Sequence, residues 1–270
     1  MAAPTTTPPG RAAMRRATAL LAYGLLASPW AVAAQCLAEA TTTVTTVPEV
    51  RRGHDIRFSD RLAVIEAGSA GPAADVLVLG DSIIQQWPKH MLEQVFPGRR
   101  VLNAGVAGDG SAALLHRLES LRIPAMVDGQ RVELGVGGWE RQRPAEVVVL
   151  IGTNDLRRAS ACDVALGALA VVDQTRRLYP AARVSVIGIL PRGADQTELA
   201  GAIAVVNRHL AERAIAASFV FVDAHAVLLC PAPAEAPCGM ARPPNHVHLT
   251  SAGYGKLGDA LRQPLARRQP

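Results

Sequence analysis

The sequence predicts an α/β fold: a single doubly wound domain whose five-stranded parallel sheet is flanked by helices. Three observations predict it. From residue 75 onward, short β-branched runs alternate with helical patterns, which is how a parallel sheet with helices on both faces reads in sequence. The runs are apolar at nearly every position rather than every second one, as strands buried on both faces require. The chain has 270 residues, 49% hydrophobic and 19% charged, which suits one domain with a sizeable core.

The first 34 residues read as a signal peptide. Arg15 and Arg16 form a basic start, Ala17 to Ala33 are mostly apolar, and small residues end the stretch at Val32-Ala33-Ala34. Met14 makes a more ordinary start than Met1. Pro29 interrupts the apolar run, which is short for a membrane span. Secreted or periplasmic protein is expected, without stable membrane insertion after cleavage; the alternative is an uncleaved anchor. Residues 35–70, Thr-rich and then mixed in charge, read as a loosely packed lead-in with one helix. The domain proper is expected over 71–270.

Strands are expected at Asp75–Leu79, Arg100–Asn103, Glu146–Ile151, Arg183–Ile189 and Phe219–Asp223. Helices are expected at Ile83–Val95, Ser111–Leu121, Asp163–Leu178, Thr197–Ala217 and Ser251–Ala266. Residues 122–145 are too long for a helix-to-strand connection. Asp128-Gly129 between two apolar stretches marks this segment as a hairpin insert. Such a connection lies at the amino ends of the strands, away from the carboxyl ends where ligands bind.

Four cysteines in an exported chain point to two disulfides, with three possible pairings. Cys230 and Cys238 enclose a short Pro-rich loop and form the natural local pair; Cys36 with Cys162 follows by elimination. Their spacing matches no zinc pattern, so no metal is expected. The formal charge of +5 includes Arg11, Arg15 and Arg16, and no acidic residue precedes residue 35, so the remainder carries +2. No basic stripe interleaved with aromatics remains, and nucleic acid is not an expected partner.

The chemistry gathers in the strand-to-helix loops, all at one edge of the sheet. These hold Gly80-Asp81-Ser82, Asn103 to Asp109, Gly152-Thr153-Asn154-Asp155 and, after the fifth strand, Asn245 to Thr250. The residue types fit acyl transfer. A serine hydroxyl needs an adjacent base to become a nucleophile, and His is the usual base near neutral pH. A tetrahedral intermediate needs preorganised donors. The N–H groups of Ser82 and Gly108 and the amide of Asn154 can supply three. His248 is the candidate base. His246 points the other way if the segment is extended. His225 reads as a packed structural residue, and His54, His90, His116 and His209 as surface or helix residues. Asp81 and Asp155 read as structural hydrogen-bond acceptors. Arg192, in the loop after the fourth strand, either touches substrate or is simply solvated.

The segments LVLGDSIIQQW, LNAGVAGDGS, VVVLIGTNDL and HVHLTSAGY resemble the four blocks of the GDSL/SGNH hydrolases, in order and spacing, across roughly residues 75–262. Within that family the chain is similar to the platelet-activating-factor acetylhydrolase catalytic subunits. The resemblance implies a flavodoxin-like sheet and a serine esterase without a cofactor. It implies Ser82 as nucleophile, Ser82, Gly108 and Asn154 as oxyanion donors, and His248 as base. The family usually has Asp three residues before that His, where this chain has Asn245. An amide there orients the ring without charge, so Asn245 is expected as a weaker third catalytic member, or as bystander to a Ser–His dyad. The expected substrate is a small acyl ester, with acylated glycans and lysolipids as candidates. An O-acyltransferase using the same site, or a catalytically weak binding protein, are the alternatives.

Overall fold

A computed structural model describes residues 36, 45–47, 56–119, 123–127, 130–134, 141–230 and 239–266. The signal-peptide reading of 1–34, the Met14 start and the Asp128-Gly129 turn lie outside these. Five parallel strands form the main sheet: β1 (Val76–Gly80), β2 (Val101–Gly105), β5 (Glu146–Leu150), β6 (Arg183–Ile187) and β7 (Val220–Val222). Their spatial order is β2-β1-β5-β6-β7, so the chain reverses direction across the sheet between β1 and β5. The expected α/β sheet is what is found.

Side-chain alternation divides these strands between two cores, since successive residues of a strand face opposite sides. Leu77, Leu79, Val147 and Val149 pack with α1 (Ile56–Ala70), α4 (Ser111–Glu119), α5 (Ala161–Leu178) and α6 (Ala200–Arg213). Val76, Val78, Val148 and Leu150 pack on the other face with α2 (Ser82–Gln85), α3 (Lys89–Val95), α7 (Ala224–Leu228) and α8 (Ser251–Ala266). The central strands β1 and β5 are buried at every position. Edge strands β2 and β7 are only partly covered.

Three differences from the sequence reading have local causes. The expected helix Ile83–Val95 is two, because Pro88 has no N–H to give and serves as the N-cap of α3. The expected helix Thr197–Ala217 starts at Ala200, after Leu199 in a left-handed conformation. The described residues of the lead-in pack against the domain. Leu62 and Ile65 of α1 are fully buried, each contributing about 1.5–3 kcal/mol, and Cys36 is buried in a disulfide with Cys162. Cys230 is disulfide-bonded; Cys238, its expected partner, lies outside the described residues. In the insert, β3 (Ile123–Val127) and β4 (Gln130–Leu134) pair antiparallel as a hairpin beside α1.

Candidate active site

The loops that carry Ser82, Gly108, Asn154 and Arg192 leave the carboxyl ends of strands, the segment with Asn245 and His248 follows α7, and β1 and β5 meet where the strand order reverses. Ligands of open α/β sheets bind at that crevice. Here it is a cavity of about 1000 Å³, lined by Ser82, Gly108, Asn154, Arg192, Asn245 and His248 among others.

Asp81 sets Ser82. Its carboxylate accepts from the Ile83 N–H at 2.8 Å and so caps α2, which begins at Ser82. α2 is a single turn, so the local N–H groups matter here and a helix dipole does not. Ser82 is 7% exposed. Its Oγ lies 2.9 Å from His248 Nε2 across 166 residues of sequence.

His248 is held from its backbone. Its carbonyl accepts from the Arg242 N–H at 2.7 Å, and the Thr250 N–H donates to the Met240 carbonyl at 3.0 Å, framing an antiparallel bridge between Ala241 and Leu249. Burial, and secondarily the charge of Arg242, push the His248 pKa below its ordinary value of 6.5. The imidazole is therefore neutral near pH 7 and able to take a proton. Tyr254, the last residue of the HLTSAGY block, stacks on Trp87 and donates its hydroxyl to the Ile83 carbonyl at 2.7 Å. That bond ties α8, which follows His248, to the turn that carries Ser82.

The donor side is built from two loops. Gly108 sits at φ +82°, in the left-handed region, which glycine enters without steric cost. Asn154 Nδ2 donates to the Asp109 carbonyl at 2.8 Å; an amide nitrogen carries two hydrogens, so one remains for a ligand. Asp109 is fully buried and paired with Arg117 at 2.7 Å. Asp155 accepts from the Ser111 N–H at 2.8 Å and from its hydroxyl at 3.0 Å. A Cβ on Gly110 would lie 2.1 Å from Asp155 Oδ1, so the two loops touch only because that residue has no side chain. Burial raises the pKa of Asp155. Burial likewise raises that of Asp81, to about 7, with the Ile83 N–H opposing and the nearby Asp109 and Asp155 adding to the rise.

Residues 78–256 match the GDSL-like lipase/acylhydrolase family. The chain belongs to that family. It is an ester hydrolase. The platelet-activating factor acetylhydrolase IB subunit alpha1 of Rattus norvegicus is 29% identical over 204 residues, 74% of this chain and 79% of that protein. The Homo sapiens alpha1 subunit is 34% identical over 128 residues, 47% of this chain and 48% of that one. Two solved structures share the fold. A GDSL-like lipase from Bacteroides thetaiotaomicron has TM-score 0.58 at 18% identity, covering 80% of this chain and all of that one. An acetylxylan esterase from Geobacillus stearothermophilus has TM-score 0.52 at 20% identity, covering 70% of this chain and 93% of that one.

Within this esterase, Ser82, Gly108, Asn154 and His248 converge as the sequence reading placed them. Two candidates sit differently. Asn245 lines the cavity, but its Oδ1 accepts from the Val247 N–H at 3.3 Å rather than from the imidazole. Among the described residues, no hydrogen bond reaches His248 Nδ1. Arg192 is not solvated: it is 5% exposed. Its guanidinium donates to the Thr153 carbonyl at 2.7 Å, to the Thr153 hydroxyl at 3.0 Å and to Glu198 at 3.3 Å. It braces the residue before Asn154 while reaching the cavity wall. His225 is packed, with Nδ1 3.2 Å from the Ile189 carbonyl. His246 is buried at φ +48° and does not line the cavity. Sequence reasoning missed Thr45, Gln86, Arg157 and Arg158, which also line it; Gln86, within the Ser82 block, and Arg157 and Arg158, beside the Asn154 block, had a signal to find them by, and Thr45 had none.

Proposed function

We propose that this esterase removes a short acyl group, acetyl foremost, from a polar alcohol such as a glycan or a lysolipid, through a Ser82–His248 dyad. The observation that carries the reading is the 2.9 Å approach of Ser82 Oγ to His248 Nε2 inside the cavity. His248 takes the Ser82 proton as Oγ attacks the ester carbonyl carbon. The oxyanion is received by the N–H groups of Ser82 and Gly108 and the amide of Asn154. As the C–O bond to the alcohol breaks, the imidazolium gives its proton to the leaving oxygen. Water, activated by the same imidazole, then hydrolyses the acyl-enzyme and restores Ser82.

The lining supports a short acyl group. Among the described residues, its apolar members are Ala107, Ala112, Ala113, Ala159 and Val247, with no Leu, Ile, Phe or Trp. Each buried methylene is worth about 0.8 kcal/mol, and so small an apolar surface offers a long chain little to bury against. The similarity in fold to an acetylxylan esterase agrees with an acetylated glycan. Export is supported by the Cys36–Cys162 disulfide, and no described helix is long and apolar enough to cross a membrane.

The test is a panel of p-nitrophenyl esters from acetate to decanoate, with Ser82→Ala as control. kcat/KM should be highest at two to four carbons. A maximum at eight or more would overturn the short-acyl reading. Adding an alcohol acceptor and analysing products separates hydrolysis from acyl transfer.

A further inference from the structure

The family match begins at residue 78, yet one wall of the cavity comes from Thr45. Thr45 is 2% exposed. Two fastenings hold its segment, and both reach the first turn of α5. The Thr45 hydroxyl donates to the Asp163 carbonyl at 2.6 Å, and Cys36 is disulfide-bonded to the neighbouring residue, Cys162.

α5 is shaped to receive it. A Cβ on Gly167 would lie 2.7 Å from Thr45 Cβ and 2.8 Å from Ser111 Cβ, so the bare helix face at Gly167 is where Thr45 and Ser111 pack. Ser111 in turn donates to Asp155, next in sequence to Asn154. Thr45 thus stands against the loops that carry the donor side of the site. The cavity lining contributed by α4 is small, Ala112 and Ala113, and the loop before α5 adds Arg157, Arg158 and Ala159. Thr45 lines the same cavity with a β-branched side chain.

Resting on the Ser82–His248 esterase reading, we propose that Thr45 is a wall of the substrate site and a specificity-determining residue that restricts the size of the acyl group, with the Cys36–Cys162 disulfide supporting its position. Thr45 touches no reacting atom. Its methyl and its hydrogen bond define how much space a substrate finds, and the Cys36–Cys162 bond keeps that wall in place.

The experiment compares kcat/KM for p-nitrophenyl acetate and p-nitrophenyl hexanoate in the full chain, as wild type, Thr45→Ser, and the double variant Cys36→Ser/Cys162→Ser. Thr45→Ser keeps the hydrogen bond and removes one methyl. It should lower the acetate-to-hexanoate preference about tenfold, the low end of what one methylene in a pocket is worth. The double variant should lower the preference at least as much, and dithiothreitol should reproduce that change in the wild type. A merely structural role would lower Tm and slow both esters in proportion; that unchanged ratio, in folded variants, overturns the wall. A wild type that hydrolyses neither ester overturns the esterase reading and the wall with it.

Discussion

The two ends of the parallel strands are built to different standards. At the amino ends, polar groups are closely paired. Glu146, buried at the start of β5, takes Arg99 at 2.8 Å and Arg183 at 3.2 Å. The Asp75 carboxylate accepts from the Arg100 N–H at 2.8 Å. Buried Gln142 accepts from the Ala74 N–H at 2.7 Å and donates to the Ser69 carbonyl at 3.0 Å. At the carboxyl ends the cavity opens, and pairing is left incomplete. Asp81 Oδ2 and Arg192 Nε are buried without hydrogen bonds, and His248 has a bond on one ring nitrogen. A buried polar group without a partner costs about 1–3 kcal/mol. The amino ends hold the sheet together; the carboxyl ends forgo stability to keep groups ready for a substrate.

The sharpest way to break this division is Ser82→Ala. If the carboxyl end serves chemistry, kcat should fall by at least about 10⁴, as when the nucleophile of a serine hydrolase is removed, while the Tm stays within a degree or two. Retained turnover would place the chemistry elsewhere. Asn154→Ala comes next. Loss of an oxyanion donor costs about 10²–10³ in kcat with little change in KM. A change confined to KM would assign Asn154 to substrate binding.

The opposite end should respond in the opposite currency. Glu146→Ala strands two arginines at the start of β5, each about one-third exposed. Charged hydrogen bonds to a buried partner are worth about 1.5–3 kcal/mol, and the arginines' exposure keeps the loss near 2 kcal/mol. Urea unfolding should show it, with kcat of the folded fraction unchanged. An equal loss of kcat would mean that the two ends are not separable.

What could be read from sequence follows the same line. The strands were legible because double-sided burial writes itself as unbroken apolar runs, as in Val76–Leu79 and Val147–Leu150. The four loops were singled out by the residue types that acyl transfer demands, and residues of all four line one cavity. α7 was missed, being only five residues long. The burial of Thr45 and Arg192 was not legible, because it depends on partners far along the chain: Asp163 and Gly167 for one, Thr153 for the other. Nor was the orientation of Asn245, which a local turn to the Val247 N–H decides.

Asp81 tests the incomplete pairing through pH. Its folded pKa, about 7, lies above the ordinary carboxylate value of 3.8, so the folded protein binds this proton more tightly than the unfolded chain does. The stability it confers is complete below pH about 4 and is lost as pH rises through about 7. Asp81→Asn can still cap Ile83 and cannot titrate. Its Tm should decline less than that of the wild type between pH 4 and 7. Parallel curves would show that Asp81 titrates alike in the folded and unfolded chain.

The smallest expected effect is the most informative about the dyad. Asn245→Asp restores the residue type usual in the family, and by analogy alone kcat should rise. The geometry argues for less. The Asn245 oxygen is committed to the Val247 N–H, an acceptor role that a carboxylate fills at least as well, so Asp at 245 has reason to stay where the amide is. From there it acts on His248 through space. A negative charge lining the same cavity favours the imidazolium and raises the His248 pKa, opposing burial and Arg242. Hydrolysis requires the neutral ring, so activity climbs as pH rises through that pKa. The wild-type midpoint should lie below 6.5; the variant's should move up, with kcat at the plateau changed no more than about threefold, within what a solvent-screened charge supplies. The measurement is kcat across pH 5–9 for both forms on one acetyl ester. A plateau kcat raised by a hundredfold or more would show that the carboxylate has swung onto Nδ1, and that position 245 is the unfilled third member of a triad. An unmoved midpoint would show that the charge at 245 does not reach the base.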